Sequence, residues 1–125
     1  MMPTTVHSIL KYTVQILNTK GNADTPKAQI IVRLLNKEDK TCGVAVFKDY
    51  GESNAQNPYG DHQKQTATAY YDIKYYQSFV DILRLEKELF WKIAWQQIGP
   101  NKTVLDVSLD TKAEIIGEHF GNGGA

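Results

Sequence analysis

The chain has 125 residues, with 14 basic and 14 acidic side chains, and is 42% apolar and 22% charged. That length buries one core but not two independent ones, and the composition is that of a globular chain, whereas disordered chains combine low hydrophobicity with a large net charge. A net charge of zero excludes a global field that would draw the protein to nucleic acid or an anionic membrane.

The basic residues are also scattered, with Lys11, Lys20, Lys27, Arg33, Lys37 and Lys40 spread along the first third, as on a solvated surface. Cys42 is the single cysteine, which excludes an intramolecular disulfide and a cysteine-rich metal site and favours a reducing compartment. Residues 1–8 lack the basic flank and apolar run of a secretory signal, and no later stretch has the apolar length of a membrane span. The expectation is one cytoplasmic, non-membrane domain over residues 1–120, followed by a flexible tail at 121–125.

In chain order, Leu10, Tyr12, Val14 and Ile16 alternate with Lys11, Thr13 and Gln15, which predicts a strand over 10–16 with one wet face. Asn, Gly, Asp and Pro between 18 and 26 predict a loop. A second strand follows over 27–35, with Ala28, Ile30, Val32 and Leu34 on one face and Gln29, Ile31, Arg33 and Leu35 on the other. Two large aliphatics on that second face call for cover from another element or another chain. A charged turn at 36–40 leads to a third strand at 41–47, and the two strands read as a hairpin.

Residues 48–65 form the longest polar interval. Loops of that length in small domains are either disordered or functional, so this interval is the first place to look for a site. A fourth strand at 66–71 precedes a change of period: Tyr76, Phe79, Val80 and Leu83 recur at helical spacing, which predicts a helix over 75–87 with Asp72 as its cap. Leu89, Trp91, Ile93 and Trp95 then alternate as a fifth strand. After a turn at 99–102, Leu105, Val107 and Leu109 mark a sixth, with a short edge segment at 112–120. The fold class expected is α+β: an antiparallel sheet of about six strands with one main helix between the fourth and fifth, ββββαββ.

The run Asp81-Ile82-Leu83-Arg84-Leu85-Glu86-Lys87, followed by Leu89-Phe90-Trp91 and later by Leu109-Asp110-Thr111 and Gly117-Glu118, resembles a group of small uncharacterised bacterial proteins. In these, a helix ending in an aspartate-aliphatic-leucine-arginine-x-glutamate-lysine run precedes an aromatic strand and a glycine-glutamate ending. This chain departs from the pattern at Leu85 and Glu88, where the group has asparagine and proline. The resemblance covers the C-terminal part and implies no activity.

Chemistry-bearing motifs are sparse. His7, His62 and His119 share no metal-ligand spacing with one another, with Cys42 or with a carboxylate, so no metal is expected. Cys42 starts a strand with Val44 and Val46, a packing context rather than a nucleophile's. The serines lack the Gly-x-Ser-x-Gly elbow. The glycine-rich 121–124 has no following helix to cradle a phosphate, and no cofactor is expected. Asp49, Glu52, Asn54, Asn57 and Asp61 do not match a calcium loop.

The leading expectation is a non-catalytic binding or assembly module, a homodimer or small oligomer, with Ile31, Leu35, Phe90 and Trp91 at the interface. The alternative is a small enzyme or ligand-binding protein with a pocket between helix and sheet, the 48–65 loop as lid and Tyr50, Tyr59, Asp61 and His62 as polar contacts. A single-stranded nucleic-acid binder is a third reading, disfavoured by the neutral charge.

Overall fold

The structure, a computed structural model, describes residues 3–18 and 28–112. The edge segment expected at 112–120 and the tail at 121–125 lie outside these residues apart from Lys112, as does the loop at 18–26 apart from Asn18. The described chain is mostly β, with strands β1 (Thr4–Ile9), β2 (Lys11–Asn18), β3 (Ala28–Leu35), β4 (Thr41–Lys48), β5 (Tyr59–Asp61), β6 (Thr66–Asp72), β7 (Leu89–Ile98) and β8 (Asn101–Thr111). The helix α1 (Tyr76–Leu85) follows a single 3-10 turn, Ile73–Tyr75.

These strands form two sheets, β1-β7-β8 and β2-β3-β4-β6-β5. This overturns the single six-stranded antiparallel sheet with the helix at its middle. The two hairpins expected on either side of the helix are present as β3–β4 and β7–β8, both antiparallel. Three features differ, each for a physical reason.

The first is β1. Its interior side carries Thr5, His7 and Ile9, of which two are polar and half-buried, so a period of two is present in burial but absent from hydrophobicity. The second is β5, whose three residues are too few to show any period. The third is the pairing of β4 with β6, which is parallel because the chain returns through the 49–65 segment to the same end of the sheet before starting β6. The helix is also shorter than 75–87. Asp72 accepts the Lys74 amide at 3.1 Å and so caps the 3-10 turn rather than α1. At the other end the backbone turns extended at Glu86 (ψ 141°).

β1 and β2 are one run of chain bent at Leu10, whose amide donates to the Leu35 carbonyl at 2.9 Å. Before the bend it pairs with β7, after it with β3. The two sheets therefore share one side of a barrel-like shell, and β5 meets β8 on the other. Inside lie Trp91, Trp95, Phe47, Leu34, Ile93 and Val32, all fully buried, with Phe79 and Leu83 of α1 added from one end.

The sheet spacing is set by indole against glycine. A Cβ on Gly43 would lie 2.1 Å from Trp91 Nε1, and one on Gly60 2.2 Å from Val104 Cγ2 and 3.0 Å from Trp95 Cη2. Each indole N–H has an acceptor, Trp91 on the Ala67 carbonyl at 3.3 Å and Trp95 on Thr5 Oγ1 at 2.9 Å, as buried polar groups require.

Gly43→Ala must displace an indole that has nowhere to go, and is expected to cost at least about 3 kcal/mol, while at Gly60→Ala a valine methyl can rotate away for about 1–2 kcal/mol. Urea unfolding of the two variants checks that order. Equal losses would contradict the packing described.

Candidate functional site

Two features of the surface follow from this shell. The first is a cleft between α1 and β8. β5 pairs with only Thr66, Ala67 and Thr68 of β6, so beyond Thr68 that edge of β6 has no strand partner among the described residues. β8 likewise pairs only with β7 there. Helix α1 spans the gap but turns Phe79, Val80 and Leu83 into the core, leaving Ser78 and Ile82 as a lip. The result is a cleft of about 450 Å³ walled by Tyr71, Tyr75, Phe79, Ile82, Val107 and Leu109, with Ser78 of α1 and Ser108 of β8 also lining it. Its size and mostly apolar lining fall within the range of small-molecule sites.

Tyr71 is the fixed wall. Its ring stacks on Phe47 (centroids 5.3 Å apart, 23° between planes) and tilts against Phe79 at 5.6 Å. Burial, with a smaller contribution from the nearby Asp106 carboxylate, pushes its phenol up to about 12, so the hydroxyl remains a neutral donor at physiological pH. Beside the cleft, and sharing Tyr71 and Tyr75 with it, is a polar hollow of about 330 Å³ where Gly51–Ala55 of the long loop faces Asp72 and Lys74.

The second feature is the edge of β2. Tyr12, Val14 and Ile16 stand directly opposite Leu34, Val32 and Ile30 of β3 and therefore share the core-facing side of the sheet. Only Tyr12 packs on the core. Val14 is 40% exposed and Ile16 69% exposed, because the companion sheet ends where β1 bends into β2. β2 is terminal in its sheet, so its outer row of backbone groups has no strand partner among the described residues.

The residues expected to bind a ligand do not converge. Tyr50 lies by the polar hollow: burial raises its phenol, opposed by a hydrogen bond with the Gln56 backbone, and the charges of Tyr70 and Asp72 add to the rise. Its hydroxyl donates to Gln56 Oε1 at 3.2 Å. Tyr59 is 69% exposed on β5. Asp61 receives the Gln63 amide at 3.0 Å and the Lys64 amide at 3.3 Å, a turn-forming role.

His62 sets its ring edge-on to Trp95 at 4.9 Å, in a bonded group that ties the β5–β6 turn to β1. In that group Thr5 donates to the Gln65 side chain, His7 contacts the Gln65 carbonyl, and Gln65 donates back to the His62 carbonyl. Gln65 is held in the left-handed region (φ +57°), a strain that the surrounding bonds sustain.

The four expected interface residues also separate. Ile31 and Leu35 are half-buried on the outer face of the five-stranded sheet, where Ile31 adjoins Val46 and Val46 adjoins Tyr70. Phe90 is half-buried on the outer face of the other sheet. Trp91 is completely buried and offers a partner no surface.

Cys42 is buried, donates to the Leu34 carbonyl at 3.4 Å, and has its thiol pushed up by burial, so it is a packing residue. No group of three or more histidine, cysteine or acidic side chains suited to a metal occurs among the described residues, and none of their helices is long and apolar enough to cross a membrane. No protein family, curated protein or solved structure matches the chain.

The raised Tyr71 phenol links stability to pH. The unfolded chain loses its tyrosine proton near pH 10 while the folded chain holds it to about 12, so the stabilisation is complete below pH 10 and is lost as pH rises toward 12. Tyr71→Phe is expected to remove up to about 2 kcal/mol of that alkaline decline. Denaturant midpoints of both proteins between pH 9 and pH 12 measure it, and parallel profiles would contradict the assignment.

Proposed function

We propose that the protein is a non-catalytic assembly module that pairs with a second copy of itself through the open edge of β2. The observation that carries this reading is a mismatch between sequence and surroundings. β2 has the alternating pattern of a strand with one buried face, yet Val14 and Ile16 on that face stay 40% and 69% exposed on a strand whose outer edge has no partner among the described residues.

Long, flat apolar edges are pairing templates, and proteins that remain monomeric blunt them with proline, inward charges or bulges. β2 contains no proline, no charge on its core-facing side and no register shift against β3. Its one charge, Lys11, is held by Asp39 of the β3–β4 turn.

A two-fold axis through Val14 makes the edge self-complementary. Antiparallel pairing then sets Val14 against its own copy and Tyr12 against Ile16 on one face, and Lys11 against Leu17 and Thr13 against Gln15 on the other. No like charges meet, and the aromatic and β-branched pairs are of the stabilising kind. Covering Val14 and Ile16 contributes about 1–2 kcal/mol for each residue buried, in addition to the new backbone ladder. Such an isologous contact closes on itself and gives a dimer rather than a fibre. The lone buried thiol fits a reducing, cytoplasmic setting.

Light scattering during size-exclusion chromatography is expected to return twice the chain mass at micromolar concentration. Val14→Lys, which sets two ammonium groups face to face on the axis, should weaken association at least about 100-fold while leaving the circular dichroism spectrum unchanged. A strict monomer at millimolar concentration, or a dimer indifferent to that substitution, would overturn the proposal.

A further inference from the structure

The α1–β8 cleft plays no part in pairing through β2, and its chemistry is of a different kind. We propose that it binds a small uncharged molecule built on an aromatic ring, of the aryl-alkyl alcohol type. The rings of Tyr71, Tyr75 and Phe79 and the aliphatic side chains of Ile82, Val107 and Leu109 give it walls with little polar surface. Its volume of about 450 Å³ accommodates a ring of that size.

Charge is what the cleft lacks. None of the described residues that line it is an aspartate, glutamate, lysine, arginine or histidine, and Asp106, next in sequence to Val107, is not among them. Around it both signs occur together. In the adjoining hollow Glu52 and Asp72 are joined by Lys74, and Lys48 lies over the ring of Tyr70, another residue of that hollow, at 5.8 Å. On α1 itself, Arg84 and Asp81 pair at 3.7 Å. A cation or an anion entering the cleft would give up its water without meeting a counter-charge, a cost that an uncharged ligand escapes.

The preference for a ring follows from the walls. Tyr71 is clamped, its ring stacked on Phe47 at 5.3 Å and tilted against Phe79 at 5.6 Å, so little ordering is needed when a ligand enters. A ligand ring gains offset-stacked or edge-on contacts with such walls beyond the area it buries. The polar side-chain groups that line the cleft are all hydroxyls, those of Tyr71, Tyr75, Ser78 and Ser108. Each can donate or accept, which suits a hydroxyl on the ligand rather than an ionised head.

The test compares benzyl alcohol, benzylamine and benzoate, in which the head is too close to the ring for one to be buried while the other stays in water. Each is titrated into the 15N-labelled full chain and followed by amide chemical shifts. The alcohol is expected to move the Ser78, Ile82, Val107 and Leu109 amides saturably, with a Kd in about the millimolar range. Its ring protons should show nuclear Overhauser contacts to the Tyr71 and Phe79 rings. The amine and the carboxylate should each bind at least about fivefold more weakly.

Ser78→Trp fills the cleft from the exposed side of α1 and should abolish the shifts. Tyr75→Ala removes an exposed wall ring and should weaken binding of the alcohol at least about threefold, with the remaining amide spectrum showing the fold intact. Either charged probe binding as tightly as the alcohol, the absence of a saturable shift, contacts that map away from α1 and β8, or affinity untouched by both substitutions would overturn the inference.

Discussion

The indole of Trp91 lying on the bare Cα of Gly43 fixes how far apart the two sheets can be, and most of the molecule follows from that contact. A side chain of any size at Gly43 would occupy the space of the ring, so the sheets approach closely at one point and must diverge elsewhere. Trp95 repeats the device at the other side of the shell, against Gly60 of β5, with His62 on its edge and Thr5 on its N–H. Close packing of this kind leaves little slack for a volume change, and least at Gly43, where the obstacle is a buried ring. It also accounts for β5 being short: the strand exists where Gly60 lets β5 pass beside Val104 and Trp95, and ends within three residues.

Both surface features are consequences of how this shell closes. Where β5 stops, β6 and β8 part, and α1 bridges them without filling the space, which leaves the aromatic-walled cleft. Where the first strand bends at Leu10, it leaves one sheet for the other, and the side of β2 that would have been covered by a companion strand is left bare. One opening is a mostly apolar cleft, the other a flat apolar edge. The physics of recognition differs accordingly: contact with an aromatic-walled concave surface at the first, backbone pairing and cross-strand contacts at the second.

Local patterns in the sequence were sufficient to locate six of the strands and the helix, because each carries its own period: Leu10 to Ile16, Leu89 to Trp95 and Leu105 to Leu109 at two, and Tyr76 to Leu83 near three and a half. What local pattern does not encode is which strands pair. The division into two sheets depends on Gly43 meeting Trp91 and on Thr5 and His7 meeting Gln65, contacts between residues far apart in the chain.

Those same contacts hid β1, since its interior side is polar where it bonds to the β5–β6 turn. The aromatic cluster around the helix was legible as a cluster, but Trp91, read as a surface residue, proved to be the centre of the core. The length of the 48–65 segment pointed to a concavity, and its Gly51–Ala55 portion does border one, while Asp61 and His62 instead hold a turn. Ser78, Ser108, Val107 and Leu109 gave no advance signal, because a cleft wall has the same composition as an ordinary helix flank or strand.

The central claim is that the open edge of β2 is completed by a second copy of the chain, and amide hydrogen exchange resolved to single residues tests it most directly. The amides of β2 that point away from β3 should exchange quickly at low protein concentration and become protected as concentration rises, with the amides of β4 unchanged throughout. Exchange on that edge that is independent of concentration would contradict the account.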